Sequence, residues 1–106
     1  MAEITLTSKQ RKLLEKYAQP LKPVVLIGGG GMSEALMAQV EHAIAAQELL
    51  KIKFNEYKDE KAELTQQLTE AIGATLVRII GNVAVLYRPT KDADKRKYEK
   101  ELQKQG

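Results

Sequence analysis

"VVLIGGGGMSEAL", residues 24–36, sets an apolar run against four consecutive glycines and then a helix start. Val24–Ile27 is too short for a helix and is rich in β-branched residues, so it reads as a buried strand. Ser33 offers an N-cap and Glu34 a first-turn acid, which predicts a helix directly after the glycines. Glycine gives up more backbone freedom on folding than any other residue, so four together need a reason. A tight turn, a nucleotide, or a polymer lying against bare backbone would each supply one.

Working outward from this junction, Thr7 and Gln10 form a capping-box start, and Leu13, Leu14, Tyr17 and Ala18 then share one side of a helix. Pro20 and Pro23 bracket the extended connection that follows. Beyond the glycines, Leu36, Val40, Ala43, Ile44 and Gln47 trace the inner face of a second helix. Leu50, Ile52 and Phe54 alternate with Lys51, Lys53 and Asn55, the period of a half-buried strand. Asp59, Glu60 and Glu63 load the first turns of a third helix, with Leu64, Leu68, Ala71 and Ile72 inward and Gly73 at its C′ position. Thr75–Ile80 and Val83–Tyr87 are strands joined by the two-residue hairpin loop Gly81-Asn82.

The order α-β-α-β-α-β-β predicts an α/β fold, a two-layer domain with a four-stranded mixed sheet. Strands joined through helices should be parallel, and the closing hairpin adds one antiparallel strand. The domain is expected over residues 5–91, followed by a charged tail, residues 92–106. Tyr98 and Leu102 give that tail a weak apolar edge, consistent with a solvated helix or a frayed end.

The chain has 106 residues, 43% hydrophobic and 29% charged, the composition of one globular domain. Cys is absent, which excludes disulfides and thiolate chemistry, and a single histidine, His42, cannot anchor a metal cluster. No metal and no cofactor are expected. No apolar stretch reaches the roughly 20 residues that span a bilayer, so no membrane partner and a cytoplasmic setting are expected. The net charge of +3 is unevenly spread. Residues 1–23 hold five cations against two acids, residues 24–50 hold three acids and no cation, and residues 91–106 hold six cations against four acids. Positive charge gathered at the chain ends suits a polyanion better than a small neutral substrate.

Nucleotide loops fail on spacing. A P-loop needs Gly-Lys-Ser/Thr, whereas Gly31 is followed by Met32-Ser33. A dinucleotide fingerprint from Gly29 would need glycine or alanine at position 34, where Glu34 would instead repel a pyrophosphate. What remains is Gly-x-x-Gly, Gly28 to Gly31, which lets a sugar-phosphate backbone approach main-chain N–H groups, or a plain turn that needs positive φ. Lys9, Lys12 and Lys16, spaced i, i+3, i+7, form a cationic stripe on the first helix, with Arg11 on a different side. Such a stripe is either a solvated face or, with Lys22 and the glycines, a phosphate-contacting patch. Arg78 and Arg88 lie in apolar strands, open both to RNA contact and to pairing with a helix carboxylate. No nucleophile–base pair is legible, so catalysis is not expected. The rival is a protein–protein interaction module.

The stretches "LTSKQRKLLEKYAQPLKPVVLIGGGGMSEAL", residues 6–36, and "GNVAVLYRPTK", residues 81–91, together resemble the CRM domain family, and within it the small bacterial YhbY-like proteins. The resemblance implies a fold similar to the C-terminal domain of bacterial translation initiation factor three. It also implies RNA as partner, with ribosomal RNA of large-subunit precursors as the expected target. The sequence leaves the oligomeric state open, with a monomer favoured. Carried onto this chain, it marks Lys9, Arg11, Lys12, Lys16, Lys22, Gly28, Gly31 and Arg88. Gly29 and Gly30 depart from the polar or basic residues common there, so contact from main chain rather than from loop side chains is expected.

Overall fold

The computed structural model describes residues 5–105. Its elements are α1 (Ser8–Ala18), β1 (Val25–Ile27), α2 (Glu34–Gln47), β2 (Leu49–Phe54), α3 (Lys61–Ile72), β3 (Thr75–Ile80), β4 (Val83–Tyr87) and α4 (Glu99–Gln105). Gly106, the end of the expected tail, lies outside the described residues. The capping box is present at α1, where Thr7 accepts from the Gln10 amide and the Gln10 side chain accepts from the Thr7 amide. Ser33 caps α2 by accepting from the Leu36 amide, and Gly73 ends α3 in the left-handed region at φ +68°.

The sheet is mixed, in the order β1-β2-β4-β3. β1 pairs parallel to β2, and β4 pairs antiparallel to both β2 and β3. The hairpin therefore places its second strand in the middle of the sheet and leaves β3 at an edge. β2 and β3 run the same way, as a helical crossover requires, with β4 filling the position between them.

One sheet face packs against α2 and α3 through Ile27, Val40, Ile44, Ile52, Phe54, Leu68 and Leu86. Those two layers match the expected pair, and α1 with α4 adds a partial third layer on the opposite face. Leu14 and Ala18 of α1 and Leu102 of α4 close there over Leu49, Val85 and Tyr87. Two inward assignments need correction. In α3 the buried partners of Leu68 are Thr65 and Thr69, while Ala71 is exposed. In β1 only Val25 and Ile27 are buried, because α1 and α4 cover just part of the second face; Val24 and Leu26 stay exposed.

The charged tail folds back on the domain. Glu48, between α2 and β2, is 1% exposed and adopts φ +65°. Its carboxylate accepts from the amides of Thr90 and Lys97, both at 2.6 Å, and its carbonyl accepts from the Arg88 amide at 2.8 Å. Tyr98 then packs its ring against Tyr17 and Tyr87, at centroid distances of 5.4 and 6.3 Å. The Gln10 side chain donates to the Leu102 carbonyl. Burial, reinforced by the Glu48 charge, pushes the Tyr87 phenol up to about 12. The unfolded chain loses this proton near pH 10 and the folded chain does not, so stability present below pH 10 falls as pH rises toward 12. The loss from Tyr87 should reach about 2 kcal/mol by pH 11.5. Urea titrations at pH 8 to 11.5 check it, and Tyr87→Phe should flatten the alkaline limb.

Candidate nucleic-acid interface

Gly28 to Gly31 form a tight turn closed by the Gly31 amide donating to the Gly28 carbonyl at 3.0 Å. Only Gly31 has positive φ, +62°, and a Cβ there would stand 3.4 Å from the Tyr57 ring. At Gly28, Gly29 and Gly30 a Cβ would meet nothing within 4 Å and the backbone has no left-handed strain. The backbone thus favours glycine at one of the four positions, and the other three leave the loop bare. Among the described residues, no hydrogen bond engages the amides of Gly29 and Gly30.

Tyr57 holds this loop, and the sequence offered little sign of it. Its hydroxyl donates to the Gly29 carbonyl at 3.0 Å while its ring lies against Gly31. The residue itself sits in the left-handed region at φ +57°, an uncommon conformation for an aromatic residue. Tyr57 thus fixes the Gly29 carbonyl, while the Gly31 amide is held by the Gly28 carbonyl. The start of α2 is less available to an anion, because Ser33 caps it and Glu34 adds negative charge there.

Leu14 and Ala18 point α1 into the sheet, and at about 100° per residue Lys9 and Lys16 fall on the opposite crest with Lys12 beside them. All three are exposed, as is Lys22, and none pairs with an acid among the described residues. Arg11 points elsewhere. Its guanidinium donates to the Leu76 carbonyl at 2.8 Å and to that of Val77, where a bulge interrupts the β3–β4 ladder. Arg88 is likewise engaged, in a two-pronged pair with Glu41 at 2.7 Å and in a bond to the Ile72 carbonyl that ends α3. The Arg88 hydrogen bond holds the Glu41 carboxyl below the usual range. Arg78 pairs with Glu15 at 3.0 Å. These three arginines brace the fold, because edge carbonyls, helix ends and helix carboxylates claimed them first.

The basic helix and the glycines are not adjacent. Lys22 precedes β1 and the loop follows it, so the length from Val24 to Gly28, about 13 Å, separates them. α1 reaches the sheet near Lys51, whose ammonium lies 3.4 Å from the Gln19 carbonyl. A concavity lined by Gly73 and Arg88 lies at the opposite end of β4 from the glycine loop. Among the described residues no group of His, Asp and Glu could hold a metal, and no helix is long and apolar enough to cross a membrane.

The family model described as the CRS1 / YhbY (CRM) domain matches residues 6–88. The chain belongs to this family. Among CRM relatives, an RNA-binding protein of Haemophilus influenzae is 36% identical over 90 residues, covering 84% of this chain and 91% of its own. A probable RNA-binding protein of Bacillus subtilis is 32% identical over 88 residues, covering 82% and 92%. The solution structure of a Staphylococcus aureus protein, a candidate for RNA binding, superimposes with a TM-score of 0.72 at 34% identity. It covers 88% of this chain and 98% of the other. The CRM match stops at residue 88, so the docked tail lies beyond it.

Proposed function

We propose that this chain is a non-catalytic RNA-binding protein that contacts ribosomal RNA during assembly of the large subunit. The observation that carries the reading is the glycine loop: three of its glycines meet no steric demand from the fold, and the amides of Gly29 and Gly30 have no partner among the described residues. Bare backbone of this kind accepts a phosphate where any side chain would hold it away. Lys9, Lys12, Lys16 and Lys22 supply exposed cations with no ion pair among the described residues. The relatives named as RNA-binding proteins support the partner class, and the resemblance to YhbY-like proteins supports the ribosomal target. Arg11 and Arg88, engaged in the fold, are assigned no phosphate.

The test is binding to structured large-subunit ribosomal RNA across a salt series. Affinity should fall steeply with salt, because each neutralised phosphate releases counterions. Salt-independent binding, or none, would favour a protein interaction module and sink the reading. Replacing Gly29 and Gly30 by Asp should preserve the fold, since both positions are open, and should lower affinity by at least tenfold. Unchanged affinity would remove the loop from the interface.

A further inference from the structure

The half of the second sheet face that α1 and α4 leave uncovered carries a pattern the loop and the basic helix do not explain. By register, Leu26 of β1, Lys53 of β2, Val83 of β4 and Ile80 of β3 form one row across the entire sheet. Leu26 is 56% exposed and Ile80 is 52% exposed, while Lys53 between them is exposed and unpaired among the described residues. Val24 and Lys51 extend the strip by one row toward α1. The sole carboxylate along this border of α1, Glu15, is taken by Arg78. The strip adjoins the glycine loop at the end of β1 and meets α1 where Lys51 reaches Gln19, so it fills the gap between the two basic features.

Exposed apolar side chains on a folded sheet mark a contact surface when they are grouped and rimmed by charge. Three strand spacings make the row about 14 Å wide, enough for roughly two nucleotides. Lys51 and Lys53 pair with no acid among the described residues, which favours a polyanion over an ordinary protein surface. Its apolar floor selects a strand whose bases and riboses are unpaired, since a duplex turns phosphates and hydroxyls outward and would leave Leu26 and Ile80 without a partner.

Given the RNA-binding reading above, on which this rests, we infer that the uncovered sheet strip is a second contact surface that takes a single-stranded segment of the RNA. Bases and riboses lie on Leu26, Val83 and Ile80, and phosphates meet Lys51 and Lys53. With no aromatic ring in the strip, packing there is tolerant of base identity.

The test compares a fluorescein-labelled 12-nucleotide oligouridine with a fully paired RNA hairpin of equal charge. Leu26→Thr with Ile80→Thr keeps β-forming residues at exposed edge positions, and a urea midpoint checks the fold. The double variant should bind oligouridine at least tenfold more weakly and the hairpin within twofold of the parent. In the parent itself, oligouridine should shift the methyl resonances of Leu26 and Ile80, a readout independent of how the variant folds. Oligouridine affinity within twofold of the parent, or unmoved methyl signals with binding intact, overturns the strip and leaves RNA binding standing. Failure of the parent to bind either RNA removes the broader reading as well. Self-association abolished by the double variant with RNA affinity unchanged would make the strip an interface between copies, which also overturns the inference.

Discussion

Replacing Lys9, Lys12 and Lys16 together by glutamine should lower RNA affinity about 100-fold at 0.1 M salt and leave the fold intact. Each phosphate contact contributes roughly 0.7–0.9 to the slope of log affinity against log salt, so three lost contacts remove about two decades or more at that concentration. The three ammonium groups sit on the crest of α1, opposite Leu14 and Ala18, and touch no carboxylate among the described residues. Seven residues of helix separate Lys9 from Lys16, about 10 Å along the axis, which is the reach of a few successive phosphates. Exposed, unpaired positions like these change stability by no more than about 0.5 kcal/mol. The measurement is a salt titration of binding with parent and variant side by side. A parallel displacement of the two lines, with no change of slope, would mean that the lysines make no phosphate contacts.

Replacing Glu48 by alanine should destabilise the protein by about 4 kcal/mol, because two short bonds to a buried charge are lost together. The carboxylate accepts from the Thr90 and Lys97 amides, both at 2.6 Å. Without it, Tyr98 loses its anchor between Tyr17 and Tyr87, and Leu102 loses the geometry that keeps it 6% exposed on α1. The denaturant midpoint should fall, and hydrogen exchange should rise first in α4, ahead of the sheet. A change below 1 kcal/mol with the Leu102 amide still protected would show that the apolar contacts alone dock the tail. The positive φ of Glu48 adds a control: Glu48→Gly relieves the backbone but still lacks the carboxylate, so it should also release α4.

Much of the interface is written in local pattern. Helix starts at Thr7 and Ser33, the hairpin at Gly81-Asn82 and the alternation of Leu50, Ile52 and Phe54 depend on neighbours a few residues away. So does the lysine stripe, whose spacing alone places it on one side of a helix. Glu48 and Tyr57 gave no such signal. Each works through residues 28 to 49 positions distant, and a lone acid or tyrosine in sequence looks like any other. The apolar run Val24–Ile27 misled for a related reason: burial on both faces needs a layer on each, and how far α1 reaches across the sheet cannot be read from β1.

The residues by themselves determined the α/β order, the cationic helix and the presence of a bare turn, because capping, periodicity and glycine content act over a single turn or strand. Tertiary structure alone decided which cations are free. Arg11, Arg78 and Arg88 are drawn into the fold by a strand bulge, Glu15, and Glu41 with the end of α3. Lys9, Lys12 and Lys16 stay outside because the buried stripe of α1 turns them outward, and none pairs with an acid among the described residues. The same packing settled the glycines: a positive φ favours glycine at position 31, where the Tyr57 ring lies in contact, and the space around Gly28, Gly29 and Gly30 is open. Charge and flexibility are properties of a sequence, but whether they are spent inside the molecule depends on what the chain brings within a few ångströms.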